Sequence, residues 1–479
     1  MNEQDSRADR QDPTEAPFAI EELFYSRTDK RGVILAGNEV FRRVSGYDWP
    51  QLLGAPHRMV RNPITPRAVF AILWSTIQKS EPAVAYVCNR AQDGRPYWVL
   101  ATILPFRDGY LSVRIKPSSP LLAQVKSLYD QLSRQERAGE LTLEASVETL
   151  LAALRSMGFA DYQSFMRHAL ATETTARDQT RHHRDRLLHG DVEKIRRGLQ
   201  EVVATQATLV DDFERLRILP TNMRILASRL EPSGGAVGAI SDIYLSISAD
   251  LFRKVGDFTL GEHSLCKHMS EQFEKAVFLT TCAQLQAQVI AQAQQENSSM
   301  AGFNPASEAS CLAELGATYR SAAALALTEA EELAKRIDVA SNDLRRSMLS
   351  LETITVIGKV ESTRIGEEGE RVAATIDQLH SHHLEISKLL GTIAHLSRTI
   401  TAELVLMQDS FIEPRANRKS TRRHPLLLQH NQVPWRERQP NLRPKFRRRR
   451  IGTVERIKRQ NPARNLGFQP NDRPHELHL

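Results

Sequence analysis

GAPHRMVRNPITPRAVFAILW occupies residues 54–74, and VCNRAQDGRPYWV occupies residues 87–99. The first stretch is a proline-punctuated loop running into a helix. From Arg67 to Lys79, Val69, Phe70, Leu73 and Ile77 recur on one helical face. The second stretch is strand-like up to Asn89, turns at Gln92-Asp93-Gly94, and becomes strand-like again from Tyr97 to Phe106. Working outward, Leu23–Thr28 and Val33–Ala36 read as two strands around an Asp29-Lys30-Arg31-Gly32 turn. Asn38 is placed to cap a short helix that Gly46 ends. Asp108-Gly109 is a hairpin signal before a last strand, Tyr110–Lys116. The order predicts a small α+β domain over residues 19–117, with five antiparallel strands and helices on one side.

Everything beyond Pro117-Ser118-Ser119-Pro120 reads as helix. Leu121–Arg137 and Glu144–Met157 are amphipathic, and a third helix follows Gly158 to about Thr175. A heptad then runs through Leu188, Val192, Ile195, Leu199, Val202, Gln206, Leu209, Phe213 and Leu216. It continues through Pro220 until Pro232-Ser233-Gly234-Gly235 reverses the chain at 232–235. Ile240, Ile243 and Ile247 resume the stripe, which predicts an antiparallel hairpin within a helical region over 121–300. Residues 308–412 form a second helical and coiled-coil region. Its heptad is Val372, Ile376, Leu379, His383, Ile386, Leu390, Ile393, Ser397, Ile400, Leu404, Met407 and Phe411. Such a stripe needs a partner helix, in the same chain or in a second subunit. The expectation is an all-α bundle that pairs two chains as a homodimer.

The composition is 41% apolar and 25% charged over 479 residues, with aromatics at only 6%, as amphipathic helices require. The net charge of +7 is unevenly placed. From Glu413 onward, 18 Lys and Arg accompany 5 Asp and Glu, so the residues before it are mildly acidic. Residues 413–479, with eight prolines and the Arg447–Arg450 run, read as a disordered basic tail. Trp435, Phe446 and Phe468 show no regular interleaving there, so nucleic acid is not an expected partner. Residues 1–18 read as disordered. No run approaches eighteen consecutive apolar residues, and the polar N-terminus resembles no signal peptide, which places the protein in the cytoplasm without a transmembrane segment. Four scattered cysteines predict reduced thiols rather than a disulfide framework. His182-His183, His380 and His382-His383 read as solvated faces rather than metal ligands. No phosphate loop, nucleophile elbow or kinase signature appears, so neither catalytic residues nor an enzymatic activity is expected.

Residues 20–117 resemble a PAS domain, of the type that forms the input domain of bacterial aerotaxis receptors. The resemblance rests on Asn38, Ser45-Gly46-Tyr47, Pro56-His57, Met59-Val60-Arg61, Pro63, Pro66, Phe70, Trp74, Glu81-Pro82, Asn89-Arg90, Gly94 and Tyr97-Trp98. It implies flavin adenine dinucleotide (FAD) as cofactor and a redox or oxygen signal. Heme, or no cofactor, remains open in this fold class, and no residue pattern isolates a proximal heme histidine. A flavin needs an apolar slot, hydrogen bonds at its ring edge and cationic donors for its pyrophosphate. Asn38, His57, Arg61, Trp74 and Trp98 suit those roles, with Arg61 as the phosphate partner. Trp74 and Trp98 read equally well as core residues, and His57 as a structural loop residue. The family usually has histidine after that arginine and aspartate two positions later; here Asn62 and Ile64 stand in those places. Further along, Asn222–Glu231 (NMRILASRLE) and Gly235–Ile240 are similar to the hairpin tip of methyl-accepting chemoreceptors, in shortened form. That resemblance implies Asn222 and Glu231 as contacts for a chemotaxis histidine kinase and its coupling protein. A non-catalytic helical scaffold, with the PAS domain serving only dimerisation or partner binding, is the alternative.

Overall fold

In the computed structural model, residues 15–180, 186–229, 235–259, 264–295 and 305–412 are described. The Glu231 contact, the 232–235 turn, His182-His183 and the 413–479 tail fall wholly or largely outside these ranges. The first unit is a five-stranded antiparallel sheet of order β2-β1-β5-β4-β3. Its strands are β1 (Phe24–Asp29), β2 (Ile34–Gly37), β3 (Ala83–Arg90), β4 (Pro96–Phe106) and β5 (Gly109–Ile115). Between β2 and β3 run α1 (Glu39–Ser45), α2 (Trp49–Leu52), a 3-10 turn at His57–Val60 and α3 (Arg67–Gln78). Asn38 caps α1, and Gly46 closes it in the left-handed region at φ 74°. Gly109 is required at the β4–β5 turn, because a Cβ there would lie 1.9 Å from the Thr28 carbonyl oxygen.

Two expectations are corrected here. Residues 15–18 are not a disordered lead-in. Ala16 and Phe18 are buried, and Phe18 packs its ring on Phe24 and Tyr97. Nor do helices cover one side of the sheet alone. The far face is closed by α4 (Leu121–Arg137) and α6 (Tyr162–Thr180), while α5 (Leu143–Ser156) packs on α3. Trp98 meets Tyr129 of α4, and Tyr86 meets Phe165 of α6. The helix α3 has Pro66 before it and no local cap. Glu136 of α4 accepts from the Arg67 and Ala68 N–H groups at 2.7 and 3.1 Å instead.

The second unit of packing is a bundle of α7 (Arg186–Arg229), α8 (Gly235–Thr259), α9 (Leu265–Gln295), α10 (Pro305–Arg364) and α11 (Glu370–Ile412). Here α11 packs on both α7 and α10, and α10 packs on α8 and α9. The α11 stripe from Val372 to Met407 is therefore buried within its own chain. Its partner helices are intramolecular. His383 belongs to that buried stripe rather than to a solvated face, stacked on and hydrogen-bonded to Tyr244 of α8. Among the described residues one stretch, Gly235–Gly256 in α8, is long and apolar enough to cross a membrane by length and composition. Val237, Tyr244, Leu251 and Val255 in it are bundle core, and Asp242 pairs with Arg224 of α7.

The helices α9 and α10 belong to both cores. Cys266, Met269, Phe273 and Ala276 of α9 lie in the bundle, whereas Leu279, Cys282, Leu285 and Val289 join the core of the sheet domain. Leu312, Leu315, Tyr319 and Ala323 of α10 likewise join the sheet domain, and Leu327 to Leu351 the bundle.

Candidate functional site

Strand alternation sorts the side chains of the sheet into two faces. Register pairs Phe24 and Ala101 with Arg114, Ser26 with Ser112, Thr28 with Tyr110, and Asn89 with Tyr97. These residues share the face that α1, α3 and the 3-10 turn cover. On β5 the polar members Tyr110, Ser112 and Arg114 alternate with Leu111, Val113 and Ile115. Read alone, such a strand has a solvated polar face. In the fold that face points inward, because the downstream helices have taken the apolar one.

Arg114 is the centre of the site. Only 4% exposed, it donates through Nη2 to Ser26 Oγ at 2.9 Å and lies 2.6 Å from His57 Nε2. A guanidinium has only donors, so His57 must present a lone pair there and is neutral. Desolvation, with Arg114 adding repulsion, pushes His57 down to about 3. The residue keeps some solvent contact, but its ring is packed inward, stacked on Phe41 at 5.8 Å. Burial also lowers Arg114, to about 10, which leaves it cationic at neutral pH. No carboxylate among the described residues pairs with it. Its Nη1 has no hydrogen-bond partner there, and neither do Ser112 Oγ and Tyr97 Oη on the same face. Buried polar atoms are rarely left unpaired in folded proteins, so these three on one sheet face are groups that a ligand or ordered water would satisfy.

The residues expected from sequence are distributed as follows. His57 is in the site. Trp74 stands at its edge, half-buried, its ring edge-on to Tyr110 at 5.6 Å and against Gly32 of the β1–β2 turn. Arg61 lies over the Phe70 ring at 3.8 Å, half-buried. Its pKa is lowered by burial, opposed by Glu136. Asn38 is buried, but its carboxamide is occupied: Oδ1 accepts from the Tyr25 and Phe41 N–H groups, and Nδ2 donates to the Leu23 carbonyl. It caps a helix and joins strands rather than presenting its amide to a ligand. Trp98 is on the opposite sheet face, against Tyr129 and Lys126 of α4, and is core. Asn62 accepts from the Ile64 N–H and shapes the loop into α3, while Ile64 packs on the core. The site thus gathers His57 and Trp74 with Ser26, Tyr97, Ser112 and Arg114, which the sequence reading left unassigned.

A flavin fits the chemistry of these residues. The ring edge would offer carbonyl and nitrogen acceptors to the three unpaired donors, and the partly exposed Trp74 would supply aromatic surface.

The far face carries the connection to the helices. Glu173 of α6 is fully buried and accepts four hydrogen bonds. They come from Tyr86 Oη on β3 (2.8 Å), the Ser118 and Ser119 N–H groups (2.6 and 2.9 Å) and Ser119 Oγ (2.6 Å). One turn on, Arg177 donates to the Ile20 and Glu21 carbonyls and to Gln288 of α9.

The PAS fold family matches residues 24–117. The aerotaxis receptor of Escherichia coli is 38% identical over 122 residues, 24% of this chain and 24% of that protein. The nitrogen fixation regulatory protein of Klebsiella pneumoniae is 35% identical over 80 residues, 17% of this chain and 16% of its own length. The biofilm dispersion protein BdlA of Pseudomonas aeruginosa is 30% identical over 144 residues, 27% of this chain and 34% of its own. The alignments therefore span about a third or less of each relative. Residues 24–117 form a PAS domain, similar to regions of the aerotaxis receptor and the biofilm dispersion protein, and a long helical region follows it.

Proposed function

We propose that this protein is a non-catalytic cytoplasmic redox or oxygen sensor, in which a flavin held by the PAS domain sets the packing of the helical bundle for a signalling partner. The observation that carries the reading is the group of unpaired buried donors on the covered sheet face, centred on Arg114. Arg61 suits the pyrophosphate, with Arg114, Ser112 and Tyr97 facing the ring edge; FAD would supply reversible electron uptake there. The aerotaxis name of a relative 38% identical in this region supports the same reading.

The output would leave through Glu173. A change on the pocket side of β3 or β5 shifts Tyr86 or the Ser118-Ser119 linker, and both are tied to one carboxylate on α6. Bundle packing is the two-state element on which that shift acts. At the far end of the bundle, Asn222 is exposed on α7, and Ile225, Ile243, Val356 and Val360 expose apolar surface. This end suits docking of a chemotaxis-type histidine kinase and coupling protein. Self-association into a homodimer belongs to the same reading, through surfaces outside the α11 stripe.

Purified protein, reconstituted with FAD, is expected to show visible flavin absorbance that bleaches on reduction. A Soret band instead would replace flavin by heme. A colourless protein after reconstitution would sink the redox reading and leave the scaffold, which the structural employment of Asn62 and Asn38 favours.

A further inference from the structure

The covered sheet face holds a positive charge that no carboxylate among the described residues neutralises. Placing a guanidinium in a desolvated site costs several kcal/mol unless an anion accompanies it. Around Arg114, the described neighbours that could share the charge are neutral. Ser26 and His57 accept from it, Phe41 lies 5.5 Å away, and Ala101 is its cross-strand partner. One of its nitrogens still lacks an acceptor. Arg61 differs in position. It lies over Phe70 on the loop entering α3, with Arg67 and Glu136 in its field.

We propose that Arg114 is the specificity-determining residue of the pocket, binding the reduced, negatively charged edge of a flavin ring in preference to the oxidised ring. The inference rests on the flavin reading above and adds which redox state the chain selects. Reduction of an oxidised isoalloxazine held there would take two electrons from an external reductant, dithionite in the experiment below, and one proton from solvent. The proton goes to N5, and the remaining negative charge spreads over N1 and the C2 carbonyl. An unpaired guanidinium stabilises that charge far more than a neutral carbonyl. Ser26 and His57 fix the plane of the guanidinium, and neutral His57 leaves the charge undiluted. A phosphate partner such as Arg61 contacts a group whose charge does not change on ring reduction, so it contributes equally to both states.

The test uses the full chain and FAD, with dissociation constants measured for oxidised FAD and, anaerobically with dithionite, for reduced FAD. Wild type is expected to bind the reduced form at least tenfold more tightly. By linkage the two-electron potential of bound FAD then lies above that of free FAD by about 30 mV per tenfold. Arg114→Met should lower the ratio of the two affinities at least tenfold, whereas Arg61→Met should weaken both and leave the ratio unchanged. If Arg114→Met does not fold by circular dichroism, Arg114→Gln, which keeps a donor toward Ser26, takes its place. A wild-type ratio near one, or a folded Arg114 variant with the wild-type ratio, overturns the proposal while leaving flavin binding intact. Failure of wild type to bind FAD in either state overturns the flavin reading itself.

Discussion

His57 and His383 are two imidazoles held neutral in different parts of the chain. His57 is pushed down to about 3 by desolvation and then by Arg114. His383 is pushed down to about 4 by desolvation and then by His380 and His382. Unfolded, each takes its proton near 6.5. Above that pH both states are neutral, and the full stability is present. As pH falls from about 6.5 toward 3–4, the unfolded chain binds protons that the folded chain refuses, so stability declines. Urea midpoints between pH 7.5 and 4.5 should fall less steeply in His57→Gln and His383→Gln than in wild type. Equal slopes would mean that these rings are not held neutral. At this scale the sequence was half legible. His57 stood out because it sits in a motif. Arg114 did not, because LSVRI alternates as a half-solvated strand does, and only the later helices reveal that both faces are buried. For Trp98 the core reading is the one the fold supports: adjacent residues on a strand face opposite ways, and Tyr97 rather than Trp98 lies on the Arg114 side.

Elements were more legible than side chains. The five strands, α1 with its Asn38 cap and Gly46 stop, α3 and α4 fall where periodicity and turn chemistry put them. What local signals cannot supply is a distant partner. The cap of α3 comes from Glu136, some seventy positions away in the chain, and the clamp on the Ser118-Ser119 linker comes from Glu173. Glu173→Gln replaces two acceptor oxygens by one and sets a donor against backbone N–H groups. It should lower stability by about 1–3 kcal/mol, the cost of leaving buried groups unsatisfied. Tyr86→Phe, which removes one of the four donors, should cost less. Urea denaturation measures both. If Glu173 also carries the signal, amide exchange at Ser118 and Ser119 should lose its dependence on the redox state of the domain in the glutamine variant.

For the whole molecule, the heptads were read correctly as needing partners but did not say whose. Antiparallel helices of one chain and helices of two chains bury the same stripe, and the sequence of a seam does not distinguish them. Here α11 is closed by α7 and α10 of the same chain. Helicity measured by circular dichroism should therefore persist on dilution from micromolar to nanomolar chain, even if dimers dissociate. Leu390→Ala, at a fully buried seam position, should destabilise the bundle by about 2–5 kcal/mol without changing that insensitivity. Loss of helicity on dilution would show that the seam is closed between chains.

The sharing of α9 and α10 between the two cores has a mechanical consequence. An unbroken α-helix is stiff along its axis, and α10 alone, at 60 residues, is about 90 Å long. A rod gripped at one end by Leu312, Leu315 and Tyr319 and at the other by Met348 and Leu351 does not absorb a small slide or roll; it delivers it. With α9 gripped in the same way and running alongside, the pair works as a push-rod and its guide. On the sensor reading proposed above, a signal from the sheet domain would cross no joint, because that domain already holds the shaft.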